Sequence, residues 1–340
     1  MEYKLIDSTK NDNFSGLRGI NLQELLLQIE SFLLEYRSGL NLPNDLTFGI
    51  EIEYEGLSKI KTDEFVKTDF SGWISDTDGT LTSGGEIISP IMTDSPKYWQ
   101  ELQEICQYLS KNGADTTHHA GGHIHISTCG LGSEVASWRQ FLKLYMLYEG
   151  VIFRFANGDK INGRICQMKY AIPIADYLHN KLGKINSASS LQDIRDILIS
   201  MQYDEYQHLT RRTAINFTNA DFKYPDYNYE KNTIEIRSPN ATTDATIWQN
   251  NINAFAKMLL VAKNGKLDED FLDYNLKNEF VAFACNEYTY NIINLKKVLE
   301  FVDLVFDNNL DKVYFLRQYL KNFQDSYGLK STVKAKKFTK

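Results

Sequence analysis

Three short segments of the chain alternate isoleucine with side chains that bind metals or phosphates. Because successive side chains of a β-strand point to opposite faces, each segment would place its isoleucines on one face and its polar residues on the other. The segments are GIEIE at residues 49–53, GHIHI at 122–126 and TIEIR at 233–237. Their polar residues are Glu51, Glu53, His123, His125, Glu235 and Arg237.

This shared polar face predicts a site for a divalent cation that bridges phosphates. Glutamate is depleted from strands, and two carboxylates on one face repel each other unless a cation lies between them. Several carboxylate oxygens with one imidazole suit Mg²⁺ or Mn²⁺. Arg237 fits beside them as a phosphate ligand, because a guanidinium binds two phosphate oxygens at once. The simpler interpretation is the solvated face of an antiparallel sheet.

The segment GGEIISP at residues 84–90 adds a fourth element. Its Glu86 is a candidate metal ligand or, alternatively, an ordinary residue at the end of a strand. Asp76 and Asp78 precede a glycine, as in a calcium loop. With Gly79 at the turn position, however, the first ligand would be Ile74 and the last Gly85, so an EF-hand is excluded and a turn is expected.

Hydrophobic periodicity and turn residues divide the chain into strands and helices of an α+β fold with a largely antiparallel or mixed sheet. Strands are predicted within 46–56, 72–90, 121–128, 213–219 and 232–238, the second broken by a turn at Asp78-Gly79. Helices are predicted at 21–38 with Asn21 as cap, 96–112, 133–157 and 243–265, and the remainder from 268 to 327 reads as helical. Residues 158–210 are irregular and partly helical.

Composition restricts the class of protein. The chain has 340 residues and a net charge of −7, which argues against a broad nucleic-acid surface but leaves a local basic patch open. No signal peptide or membrane-spanning run is recognisable. The four cysteines form no CxxC pair, so free thiols in a reducing, cytoplasmic compartment are expected. Neither GxGxxG nor GxxxxGK[ST] occurs, which argues against a Rossmann or P-loop nucleotide site.

In their order, FGIEIEYEG, WISDTDGTL, GGEIISP, AGGHIHIS and TIEIRSPNAT resemble the motifs of the amidoligase family over roughly residues 46–260. That family is similar in fold to glutamine synthetase and glutamate–cysteine ligase. The resemblance implies a curved, largely antiparallel sheet flanked by helices and forming an active-site funnel. It also implies ATP, Mg²⁺ (or Mn²⁺), and an acyl-phosphate intermediate in the joining of a carboxylate to an amine.

The resemblance also implies roles for individual residues. Glu51 and Glu53 look like paired metal ligands, His125 like a residue near the nucleotide phosphates, and Arg237 like the arginine that contacts phosphate. The further metal ligands would be Glu86, His123 and Glu235. No counterpart of the adenine loop of glutamine synthetase is visible, and residues 158–210 carry no motif of that enzyme.

Several polar residues outside the strand motifs are additional candidates. Arg164 lies in a stretch with two glycines and could belong to a catalytic substrate loop. Asn216 precedes TIEIR and could face the nucleotide, although a structural hydrogen bond is equally compatible with its position. Arg154, Arg211 and Arg212 are candidates for a substrate carboxylate or phosphate, with a solvated surface as the alternative.

The predicted organisation is an N-terminal helical segment (1–45), an amidoligase catalytic domain (46–265), a C-terminal helical extension packed on it (266–328) and a basic tail (329–340). The predicted partners are small-molecule or peptide carboxylates and amines, with no membrane. Two alternatives remain for the function. One is a zinc hydrolase using His118, His119, His123 and His125, and the other is an inactive nucleotide-binding relative.

Overall fold

The computed structural model describes residues 22–116, 120–157, 170–201, 211–229, 231–282 and 292–321. Within these segments the chain forms six strands and eleven α-helices. The strands are β1 (Phe48–Glu55), β2 (Ile74–Asp76), β3 (Gly84–Ile88), β4 (Gly122–Ser127), β5 (Ile215–Asn216) and β6 (Thr233–Ile236). The helices are α1 (Leu22–Ser31), α2 (Lys59–Asp69), α3 (Pro96–Lys111), α4 (Val135–Asn157), α5 (Ala175–His179), α6 (Leu182–Ser187), α7 (Leu191–Met201), α8 (Ala245–Lys263), α9 (Glu269–Asn278), α10 (Ile292–Val305) and α11 (Asn309–Tyr319).

The six strands form one open sheet in the order β2-β3-β1-β4-β6-β5. Every pairing in it is antiparallel. The mixed composition of helices and an antiparallel sheet confirms that part of the predicted fold class. The strands that carry the three alternating motifs are neighbours, because β1 pairs with β4 and β4 pairs with β6.

One face of the sheet is apolar and supplies much of the core. Ile52 lies opposite Ile87, and Ile124 lies opposite both Ile50 and Ile236. All five of these side chains are buried. Because the side-chain period of a strand is two, burying this face fixes the register and directs the alternating polar residues to the other face.

Helices cover the apolar face and hold β4 in place. The long helices α4 and α8 pack against each other, and α8 also contacts α3 and β4. A side chain at Gly122 would bring its Cβ within 2.6 Å of Trp248 and 2.9 Å of the Asn240 carbonyl oxygen. The glycine therefore permits α8 to approach the strand one residue away from His123.

The C-terminal helices also pack against this helical layer. Helices α9, α10 and α11 all contact α4, while α11 additionally contacts α1 and α8. Tyr314 links α11 to the segment after α1, since its hydroxyl donates to the Glu35 carbonyl at 3.0 Å and accepts from the Glu35 N–H at 3.1 Å. The predicted domain boundaries stay predictions.

Most predicted elements agree with the observed ones. Helix α3 begins at Pro96, and α8 begins after Asp244, whose carboxylate accepts from the Thr246 N–H at 2.9 Å. The predicted strands at 213–219 and 232–238 were too long, because the strands observed there have only two and four residues. The N-terminal helix ends at Ser31 instead of residue 38.

Some sequence-based predictions lie outside the described residues or missed an element. The Asn21 cap and the basic tail are outside the described ranges. Helix α2 was not predicted, whereas three short helices (α5 to α7) agree with the partly helical character predicted for residues 158–210. None of the helices in the described segments combines the length and apolar character that a bilayer crossing requires.

Candidate metal and phosphate site

Strand register brings the polar residues of five strands together on the face opposite the core. Glu51 pairs with His123, and Glu53 pairs with Glu86. Farther along β4, His125 pairs with Glu235, which pairs in turn with Asn216. Directly paired residues of neighbouring strands have Cβ atoms about 5 Å apart, so these side chains form one contiguous group.

Glu51 lies at the centre of this group and contacts both histidines. Its Oε2 is 2.7 Å from Nδ1 of His123, and its Oε1 is 3.0 Å from Nε2 of His125. Burial opposes ionisation of this carboxyl, but the hydrogen bonds from the two imidazoles outweigh it and hold the pKa of Glu51 well below its usual range. Burial likewise opposes the charged form of His123, whose pKa is nevertheless raised, chiefly by its hydrogen bond to Glu51.

Glu53 is buried beside the same imidazole. Its Oε1 lies 3.5 Å from Nε2 of His123, and its Oε2 accepts a hydrogen bond from the Gly121 N–H at 2.5 Å. Only 5% of Glu53 and 6% of His123 is exposed. Buried charges of this kind are stable only when they are paired or coordinate a cation.

Glu235 is held by residues on both sides of it. Asn216 donates from Nδ2 to Oε2 at 2.6 Å, and Arg237 donates from a terminal guanidinium nitrogen to Oε1. Burial opposes ionisation of Glu235, but the charges of His123, Arg237 and His125 outweigh it, so its pKa is lowered. Arg237 Nε donates to the Tyr170 carbonyl at 3.2 Å, which fixes the orientation of the guanidinium.

With Glu86, the row of carboxylates continues from β1 onto β3, toward the edge of the sheet. It lies between Glu53 and Asp76 in the pairing of β1, β3 and β2. Among the described residues it makes no hydrogen bond or ion pair, and burial together with the nearby charges of Glu51 and Asp78 raises its pKa to about 7. Asp78 accepts from the Thr80 N–H at 2.5 Å, in agreement with the predicted turn.

The donor set of this face suits a hard divalent cation. Glu51, His125 and Glu235 each offer one ligand atom, and these three atoms lie within 4.8 Å of one another. Carboxylate oxygens with an imidazole nitrogen are ligands of Mg²⁺ and Mn²⁺. The imidazole in this compact set is that of His125, whereas the sequence motif pointed to His123. The complete ligand set stays a prediction.

A pocket of about 410 Å³ opens over these residues. Its floor includes Glu51, His125, Glu235 and Arg237. Gly49 leaves room at the centre, because it occupies the position on β1 directly opposite His125 and brings no side chain. The pocket is completed by Thr47, Phe48, Ile50, Ile88, Ser89, Pro90, Ile91, Arg211, Asn219, Tyr229, Lys231 and Thr233.

The other arginines that the sequence suggested as candidates lie in different places, and only some of them are near the pocket. Arg211 lines the pocket. Arg154 is buried elsewhere and donates to the Lys321 carbonyl at 2.6 Å, while the guanidinium of Arg212 lies 5.2 Å from the centre of the Tyr170 ring. The sequence indicated Arg154 only through its residue type. It could not show that this side chain links α4 to the segment after α11. Arg164, His118 and His119 lie outside the described residues.

Several residues near the site were not anticipated from the sequence. Tyr229 and Lys231 line the pocket from a turn that carries no strand pattern. Tyr170 contributes only a backbone carbonyl, which no side-chain motif could indicate. Gly49 could have been recognised, because a glycine on the polar side of an alternating strand marks a place of close approach or open space.

Comparison with known proteins agrees with the motif resemblance. A family model described as "Putative amidoligase enzyme" matches residues 73–259, which is more than half of the chain. The match contains Glu86, His123, His125, Glu235 and Arg237, whereas Glu51 and Glu53 precede it. No curated protein matches the chain significantly. The chain belongs to the amidoligase family, and this membership identifies an enzyme of the ligase type.

Proposed function

We propose that the protein is an ATP-dependent carboxylate–amine ligase that forms an amide or peptide bond through an acyl phosphate. The observation that carries this proposal is the group formed by Glu51, His125 and Glu235, with Arg237 beside it, on the floor of a pocket in an amidoligase-family chain. The antiparallel sheet with its polar face supports the proposed likeness in fold to glutamine synthetase.

The residues that would hold Mg²⁺ or Mn²⁺ are Glu51 and Glu235 with one imidazole, and Glu53 and Glu86 are further candidates. A cation bound there supplies positive charge against the phosphate oxygens of ATP. Asn216 positions one oxygen of Glu235 through its hydrogen bond of 2.6 Å. His125 lines the pocket, and this position supports the proposal that it contacts phosphate.

The proposed reaction has two steps. In the first, an oxygen of the substrate carboxylate attacks the γ-phosphorus of ATP, and the bond to the bridging oxygen of ADP breaks. In the second, the amine nitrogen attacks the carbonyl carbon of the acyl phosphate. The carbon–nitrogen bond forms, the carbon–oxygen bond to phosphate breaks, and the proton lost by the amine passes to solvent. Positioning and electrostatic stabilisation do most of the work in such phosphoryl transfers.

Arg237 would stabilise the charge of the transferring phosphoryl group. Its guanidinium is held by the Glu235 carboxylate and the Tyr170 carbonyl, and it also lines the pocket. A donor that is already fixed in place requires little reorganisation as charge develops, which is why such groups lower the barrier. Lysine could not reproduce this arrangement, because it lacks the planar fork.

The test is a screen for ADP formation with Mg²⁺, ATP and pools of amino acids and polyamines, with mass spectrometry of the products. The proposal predicts ADP formation that depends on both a carboxylate and an amine, together with a product whose mass equals the two substrates less one water. Glu235→Gln should remove both signals. Tightly held zinc with hydrolysis in the absence of ATP would instead favour the metal-hydrolase alternative.

A further inference from the structure

The pocket floor continues along β6 toward a lysine that the proposed chemistry does not use. Lys231, Thr233, Glu235 and Arg237 all line the pocket and are spaced two residues apart along the chain. Lys231 precedes the first residue of β6 and therefore lies at the end of the pocket away from Arg237. Lys231 is four positions before Glu235, and because it lies in a turn their Cα atoms are at most about 14 Å apart.

The carboxylates that line the pocket have ion-pair partners, whereas two of its cationic side chains have none among the described residues. Glu51 is paired with the two histidines, and Glu235 is paired with Arg237. Within the part of the chain that the structure describes, Lys231 and Arg211 have no carboxylate partner within 4.0 Å. Arg211 belongs to the other end, since it shortly precedes Ala214, whose carbonyl accepts from the Arg237 N–H at 2.9 Å. The Lys231 end therefore carries a positive charge that no described carboxylate pairs with.

Lys231 has a backbone conformation that favours glycine or asparagine. Its φ is +71°, in the left-handed region, where a side chain is sterically disfavoured. The turn is closed by the Asn232 N–H, which donates to the Tyr229 carbonyl at 3.1 Å. Asn232 is buried, and its side chain donates to the carbonyls of Tyr224 and Tyr227. The surrounding turn thus holds the lysine in a strained conformation, as is common at binding sites.

Polar residues line the same pocket as Lys231, whose side chain is exposed. Thr47 and Thr233 line the pocket with hydroxyls. Tyr229 contributes its ring, which is fixed because its hydroxyl donates to the Asp221 carboxylate. The adjacent Asn228 anchors the loop to the segment just before β1, because it donates to the Asp45 carbonyl at 2.6 Å and accepts from the Thr47 hydroxyl at 3.3 Å. The loop that carries Lys231 is therefore held in place, and among the described residues its lysine has no ion pair.

We propose that Lys231 binds a second oxyanion of the acid substrate, at the opposite end of the pocket from the transferred phosphate. The inference rests on the proposed function, because it assigns the reacting carboxylate to the floor near Arg237. The preferred acids would carry a carboxylate for activation and another carboxylate or a phosphate several bonds away. Simple monocarboxylates would lack the second contact.

Calorimetric titration of the full-length protein with Mg²⁺ and a non-hydrolysable ATP analogue present tests this assignment. The probes are glutarate and adipate against pentanoate and hexanoate, and phosphoglycolate against glycolate. The first set tests a distal carboxylate and the second a distal phosphate. The doubly charged acids should bind about tenfold more tightly, as expected for a hydrogen bond to a charged group.

Lys231→Asn is the decisive variant, because asparagine tolerates the left-handed backbone and removes the charge. It should abolish the preference for doubly charged acids, leave the affinity for the ATP analogue unchanged, and keep or raise Tm. Lys223→Asn is the matched control, since Lys223 is an exposed lysine of the same loop that lies 4.8 Å from the centre of the Tyr224 ring instead of in the pocket. Arg211→Gln should instead lower the affinity for the ATP analogue.

Two results would overturn the inference. In one, Lys231→Asn binds doubly and singly charged acids with the wild-type preference. In the other, the variant loses affinity for the ATP analogue and not for the acids, which would assign Lys231 to the nucleotide. Failure of the proposed function has a different signature, because the wild-type protein would then bind no ATP analogue, and its preference among acids could still be measured without nucleotide.

Discussion

Glu51 and His123 face each other across the pairing of β1 with β4, and their side chains meet at 2.7 Å on the side of the sheet away from the core. The same register places Ile50 opposite Ile124 in the core. The contact is therefore a direct result of burying the isoleucines. Hydrophobic pairing on one face of the sheet determines which charged groups meet on the other.

Replacing Glu51 or Glu235 by glutamine should reduce ATP turnover about a hundredfold or more while leaving the protein folded. Glutamine keeps the size of the side chain but removes the charge that the histidines and Arg237 compensate. The measurement is ADP formation at saturating substrate, with a thermal melt to establish folding. Glu64→Gln is the control, because Glu64 is exposed on α2. Turnover near the wild-type rate in both site variants would refute the assignment.

Mg²⁺ or Mn²⁺ should raise Tm of the wild-type protein, because an ion that binds only the folded state stabilises it. The expected gain is about 2.7 kcal/mol when the ion is present at about a hundred times its Kd. Glu53→Gln should diminish the shift in Tm, since the buried Glu53 loses its charge while its oxygen still accepts from the Gly121 N–H. Differential scanning calorimetry with a titration of each metal measures both effects. Equal shifts in the two proteins would exclude Glu53 as a ligand.

Glu86→Gln should change how stability depends on pH in EDTA. Because the pKa of Glu86 is raised from 4.5 to about 7, the folded state holds its proton more tightly than the unfolded state, and stability falls as pH rises through this interval. The variant lacks this titration and should be the more stable protein at about pH 8. Saturating Mg²⁺ should reverse the order if Glu86 is a ligand, because the cation compensates its ionised form. Thermal melts across the pH range would contradict the prediction if the two profiles stay parallel.

Gly49→Val should abolish substrate binding by filling the pocket above His125. A Cβ at this position would lie 3.3 Å from the Ser89 hydroxyl oxygen, so the added methyl groups would occupy space among residues that line the pocket. Gly79→Ala is the matched control, because a Cβ there meets no atom within 4 Å. Calorimetric titration with an ATP analogue, combined with circular dichroism, separates a blocked pocket from a misfolded chain. Wild-type affinity in the valine variant would show that ligands do not cross this part of the sheet.

The sequence contained most of what positions the central group. Alternation alone assigned Glu51, His123 and Glu235 to one face, and the observed register brings them together. It could not order the strands, because pairing depends on contacts distant in the chain. Helix α2 was missed for a local reason, since its sequence KIKTDEFVKTD has few apolar residues and presents only Thr62 and Val66 as buried.

The cationic pocket residues were harder to assign from sequence. Arg154 and Arg211 have the same side chain, and only the packing of distant segments shows that one contacts the C-terminal helices and the other the pocket. No sequence pattern indicated that Lys231 lines the pocket. Its position depends on a left-handed backbone conformation next to the buried Asn232. Periodicity predicts the faces of elements, whereas turns and ion pairs depend on tertiary contacts.

The isoleucine–histidine alternation of β4 also determines how the protein can fail. Deleting or inserting one residue in this strand would exchange its two faces, so imidazoles would enter the apolar core as isoleucines replaced them over the pocket. Such a register shift would therefore destabilise the fold as well as disrupt the site. A cell that degrades unstable chains would remove such a variant before it could bind substrate unproductively.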